Sequence, residues 1–191
     1  QRQMCIRDRS TNIFDRLPQI FFAEKPNDKY DYIQILGREE NKRVYKYIRR
    51  DYVNNVVNLE KYKVFVPKAN GSGALGEVLS TPLIGQPLIG QPLIGHTESF
   101  ISIGCFDKQE EAEACYKYIC TKFARCLLGI LKVTQDNPPE KWKYVPLQDF
   151  TVNSDIDWSQ SVAGIDRQLY AKYGLDDTEI DFIETHVKEM K

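Results

Sequence analysis

Asn137-Pro138-Pro139-Glu140 is the stretch of this chain whose residue types come nearest to handling a reacting base. In methyl transfer to an adenine amino group, an Asn side-chain carbonyl and a prolyl carbonyl accept the two amino hydrogens. An aromatic residue after the second proline then stacks on the extruded base. Glu140 stands in that aromatic position, has no π face, and adds negative charge where the base would lie. Such a loop also belongs after a strand of a doubly wound sheet, whereas a helical pattern precedes it here. No glycine-rich cofactor loop compensates, because Gly71-Ser72-Gly73 follows a strand but opens no helix. The stretch therefore reads as a turn in which Pro138 and Pro139 stop a helix, and no catalytic residue is assigned.

Other constellations fail on similar grounds. His186 lies beside Glu184 with no nucleophile in prospect and reads as a surface residue. Glu60-Lys61-Tyr62-Lys63 is a scrambled version of a nuclease carboxylate–lysine set, and chance produces such sets often in a chain with 28% charged residues. The five cysteines include no C-x-x-C, and His96 and His186 are the only histidines, so no metal site is expected. Buried reduced thiols of a cytoplasmic protein are the expectation instead.

A binding inventory remains. Arg49, Arg50, Lys63 and Lys68 can neutralise phosphates. Asn70, Ser72, Thr134, Gln135 and Asn137 are neutral polar residues placed on loops, and Asn and Gln pair bidentately with adenine edges. Aromatics alternate with bases in "RVYKYIRRDY". Residues 38–68 hold nine Lys or Arg against four acids, while residues 149–191 hold ten acids against four bases. One region thus suits a polyanion and the tail does not.

These residues need elements to carry them. Hydrophobic residues make up 42% of the chain, enough for one core in a domain of this size. Residues 31–37, 61–69 and 98–106 read as strands, with strict alternation of Tyr62, Val64 and Val66 implying a half-buried strand. Residues 41–53 fit either a helix, by the spacing of Val44, Tyr45, Tyr47 and Ile48, or a strand, which their β-branched and aromatic content favours. From Asp107, an expected N-cap, apolar spacing predicts one long helix or two broken near Thr121. "WKYVPLQDF" reads as extended. Two further helices are expected in the tail, one ending at Gly174 and one capped by Asp176 or Thr178. The expectation is an α+β domain, a small mixed or antiparallel sheet packed by a long helix, over residues 10–150. Residues 151–191 would form an acidic helical appendage. "PLIGQ-PLIGQ-PLIGH" at 82–96 is too short a repeat for a solenoid and reads as a long loop with a short extended piece, of which the fold needs one copy. Residues 1–9 are set aside, since Met4–Arg9 is what a transposon-type sequencing adapter encodes, which implies that natural upstream sequence is missing. No apolar run is long enough to span a bilayer, so no membrane partner is expected.

"KYKVFVPKANGSGALGEVLSTPLIG", "HTESFISIGCF", "YKYICTKFARCLLGILKVTQDN", "WKYVPLQDFT" and "DIDWSQSVAGIDRQLYAKYGLDDTEIDFIETHVKEM" together resemble consecutive pieces of one protein type. It is the C-terminal region of adenine-specific DNA methyltransferases of bacterial restriction–modification systems, including polypeptides that combine methylase and restriction functions. The resemblance runs from about Phe14 to Lys191. It implies a target-recognition domain that grips double-stranded DNA in the bacterial cytoplasm. A separate methyltransferase domain would bind S-adenosylmethionine and carry the Asn-Pro-Pro-aromatic loop, so no cofactor is expected in this part, and Mg2+ only where restriction activity is present. "WKYVPLQDF" is also similar to the segment that closes recognition domains in type I specificity subunits. Two other readings are kept: a restriction endonuclease module, and a helical module that docks a subunit.

Overall fold

The computed structural model describes residues 10–71, 74–80 and 86–190. The fold is α+β, as expected, but with two three-stranded sheets in place of one. A short helix, α1 (Ile13–Arg16), precedes strands β1 (Tyr32–Glu39) and β2 (Lys42–Arg49), which form an antiparallel hairpin. Its two-residue turn puts Glu40 and Asn41 at φ 47° and 61°, the left-handed pair whose twist matches a hairpin. Strand β3 (Tyr62–Pro67) follows, then β4 (Leu88–Gly90), β5 (Ile94–His96) and β6 (Phe100–Phe106). The first sheet runs β2-β1-β5, with β1 and β5 parallel; the second runs β4-β3-β6 and is antiparallel.

Two of the three repeat copies are strands, and in different sheets. Pro87–Gln91 supplies β4 and Pro92–His96 supplies β5. The first copy, at 82–86, lies almost wholly outside the described residues. Strand β3 departs from the half-buried expectation: every residue from Lys63 to Pro67 is buried. Its Val64 and Val66 face the helices, while Phe65 packs with Leu36 and Phe100 between the two sheets.

The long helix is two helices, α2 (Gln109–Cys120) and α3 (Lys122–Leu131), broken at Thr121. The Thr121 hydroxyl accepts the Ala124 N–H at 3.1 Å and donates to the Tyr118 carbonyl at 2.6 Å, ending one helix and capping the next. Asp107 does not cap α2; its carboxylate pairs with Lys61 instead. Nor do Pro138 and Pro139 stop α3, which closes at Leu131; they open a 3-10 turn over Pro139–Tyr144, which takes in the first three residues of the segment expected to be extended.

Helices α4 (Val162–Tyr173) and α5 (Asp177–His186) complete the chain, α4 ending at Gly174 and α5 capped by Asp176 in a reciprocal pair with Glu179. Their inner faces join the main core. Ile165, Leu169 and Ile183 pack with Ile119, Phe123 and Leu128, joined by Val187 and Met190. Asp166 of α4 reaches across to accept the Lys122 and Phe123 N–H groups at the start of α3, at 3.0 and 2.9 Å. Burial pushes its carboxyl up to about 6 despite those bonds. Cys115 and Cys120 are buried free thiols, pushed up to about 12 and 11 by desolvation; Cys126 is half-buried and Cys105 is exposed, against the expectation for it.

Candidate nucleic-acid interface

The backbone joins two loops that lie far apart in sequence. Asn70 N–H donates to the Gln135 carbonyl at 2.8 Å, and Asn137 N–H donates to the Lys68 carbonyl at 2.7 Å. Residues 68–70 leave the end of β3, and 135–137 leave α3, so this short antiparallel bridge closes sheet against helix pair. It gathers five of the nine candidate residues. Their side chains divide sharply, however. Thr134 and Gln135 are exposed, and Lys68 is half-buried. Asn70 and Asn137 are inside, Asn137 with no exposed surface at all. Asn70 spends its side-chain amide on the Pro67 carbonyl at 3.0 Å, and its backbone carbonyl accepts the Lys132 ammonium at 2.8 Å. These two residues build the bridge and cannot touch a duplex. Ser72 lies outside the described residues.

Lys63 is also displaced from the surface role expected of it. It is 1% exposed, and its ammonium donates to the carbonyls of Asn58, Leu59, Lys61 and Gln91 at 3.0–3.1 Å. Four acceptors exceed its three hydrogens, so the cation is saturated and unavailable to phosphate. Desolvation pulls its pKa down to about 8.

Arg49 and Arg50 form a separate cluster at the end of β2. The Arg49 guanidinium lies 3.6 Å from the Tyr30 ring centroid and 4.8 Å from that of Tyr52, with Asp51 ion-paired to it. Arg50 donates to the Val53 carbonyl at 3.0 Å and to the Asn55 side chain. Lys29, Tyr30, Asn54 and Asn55 line an open depression of about 580 Å3 beside Arg50. None of those four was singled out as a contact. The alternation of aromatics with bases pointed at this region, but Tyr30 lies before β1 and is brought in only by the hairpin.

A cleft of about 490 Å3 separates the two sheets beside Lys68, and Pro138, Pro139 and Glu140 form part of its rim with His96 and Glu98. Nothing in the sequence marks these residues as neighbours. Among the described residues no cluster of His, Cys, Asp or Glu could hold a metal ion, and no helix is long and apolar enough to cross a membrane. Comparison of the chain with known protein families, with curated proteins and with solved structures finds no match.

Proposed function

We propose that the chain reads double-stranded DNA as the target-recognition region of a bacterial adenine-specific DNA methyltransferase from a restriction–modification system. Methyl transfer and S-adenosylmethionine binding belong to a partner methyltransferase domain. The resemblance of the long strings from Phe14 onward supports this reading. The observation that carries it is the bridge between residues 68–70 and 135–137, which sets Lys68, Thr134 and Gln135 together at one edge. A cation and two hydrogen-bonding side chains on adjoining loops suit one phosphate contact near one base contact. Arg49 and Arg50 form the second phosphate-contacting cluster.

The test is selection of bound duplexes from a random library, followed by anisotropy on the selected site across a salt series. Gln135→Ala is expected to relax one base position, at a cost of about 1–3 kcal/mol in discrimination. Lys68→Ala should instead weaken all sequences alike and lower the salt slope by about one. A library that returns no preferred sequence would remove the recognition reading, and an unchanged salt slope would remove Lys68.

A further inference from the structure

Helices α3 and α5 leave an apolar groove of about 440 Å3 open between them. Phe123 and Ile183 form its floor, and Cys126, Leu127, Leu175 and Phe182 its walls. Along α3, Phe123, Cys126, Leu127 and Ile130 follow i, i+3, i+4, i+7 spacing, the stripe by which a helix packs another. The stripe runs past the groove into solvent, since Ile130 is 55% exposed, and Phe182 on the facing helix is 44% exposed. Two helices with facing apolar stripes and an open channel have the shape that receives a third helix.

The charge around the groove selects the partner. Glu179 is the one charged residue among those lining it. Helix α5 carries Asp177, Glu179, Asp181 and Glu184, with no Lys or Arg. A helix is about 10 Å across, close to the screening length at physiological salt, so Asp177, Glu179 and Asp181 act on whatever lies in the groove, while Glu184 is taken up by an ion pair. The two cations of α3 leave those three carboxylates unpaired. Lys122 is paired with Glu184, and Arg125 is buried against the carbonyls of Cys120 and Gly76.

We infer that the α3–α5 groove docks a basic amphipathic helix of another polypeptide. This role is independent of the DNA-reading edge, since none of its residues belongs to the candidate contacts. Docking leaves α3 and α5 in place and covers Phe182, Leu127 and Ile130 with the apolar face of the incoming helix. The basic flanks of that helix then lie along α5.

The experiment uses the full chain and two labelled peptides of about 18 residues, five helical turns. One places Leu at helical spacing with Lys elsewhere, and the other replaces every Lys by Glu. A third peptide with the Leu and Lys order scrambled controls for composition. Anisotropy should show binding of the basic amphipathic peptide alone, weakening as salt rises. Phe182→Asp and Ile130→Asp should each reduce its affinity about tenfold or more, and Asp181→Lys several-fold with a shallower salt dependence. Both apolar positions are exposed, so if one variant loses its helical circular dichroism the other carries the test. The proposal is overturned if the basic peptide fails to bind, or if the scrambled or acidic peptide binds as well. It is equally overturned if neither aspartate variant matters, or if sedimentation shows a dimer of the chain that Phe182→Asp dissolves, which would make a second copy the occupant.

Discussion

Lys63 and Arg49 come from the same basic stretch, and the fold uses them in opposite ways. Lys63 is enclosed, with four backbone carbonyls around its ammonium. Those carbonyls belong to the turn at 58–61 and to Gln91, between the two repeat strands, so one side chain ties the second sheet to the connection into the first. Arg49 stays at the rim, held between Tyr30 and Tyr52 and steadied by Asp51. The difference lies in the acceptors. Where a turn gathers several inward-pointing carbonyls, one without a backbone donor and three with a lone pair to spare, a long cationic side chain satisfies them and leaves the surface. A positive count along the sequence therefore overstates the charge available to a ligand.

The largest test of this contrast is Lys63→Met, which keeps the length and removes the cation. Removing the ammonium leaves the Lys61 carbonyl without its donor and takes one of two donors from the carbonyls of Asn58, Leu59 and Gln91. With about 1–3 kcal/mol for the orphan and less for each of the others, the expected loss is about 3–5 kcal/mol in urea unfolding. A loss below about 1 kcal/mol would mean the turn is held by something else. Titration gives the next effect. The folded-state pKa of Lys63 is about 8 against 10.5 for a free lysine. Below about 8 both folded and unfolded chains carry the proton, and stability does not depend on it. Between about 8 and 10.5 the unfolded chain holds a proton that the folded chain has released, so stability rises with pH across that window. The full rise is about 3 kcal/mol. It is read as the difference between the parent and Lys63→Met, because other groups titrate in the same range. A difference that falls with pH would mean that the carbonyls hold the charge more strongly than burial expels it.

The same logic separates what could be read from the sequence from what could not. Strand and helix positions followed from alternation and from helical spacing, and the break at Thr121 and the caps at Asp176 and Gly174 followed from local chemistry. The repeat did not yield to this, because local sequence is identical where the structure differs. Leu88 is extended in β4, whereas Leu93, its equivalent one copy later, sits at φ 62° and turns the chain from one sheet into the other. Only the sheet edges decide. Gly90 lies against Phe65 and Gly95 against Ile35, so close that a Cβ would stand 2.5 and 2.8 Å from those side chains. At the candidate interface the sequence identified the residues that meet but not their depth. Asn137 and Gln135 are alike in composition and two positions apart, a spacing that regular alternation would put on one face, yet Asn137 is buried and Gln135 exposed, because 135–137 form an isolated bridge and not a regular strand. Net charge was equally silent on depth in the acidic tail: most of its acids are exposed, while Asp166 is buried and Ile165, Leu169 and Ile183 join the core.

Arg49→Ala gives the smallest effect on stability and the clearest separation of the two regions. The Arg49 side chain is partly exposed, and its partner Asp51 is at the surface, so unfolding should shift by no more than about 1 kcal/mol. If the DNA reading is right, affinity for every duplex should fall together, with a salt slope about one unit shallower. Arg49→Lys sharpens this further. It keeps the charge but loses the flat face that lies between Tyr30 and Tyr52. A pure phosphate contact would be restored by lysine, whereas a contact that depends on the stacked plane would not. Restoration by lysine at Arg49, together with a large stability loss for Lys63→Met, would establish that one basic stretch supplies both an outer electrostatic contact and an inner structural cation.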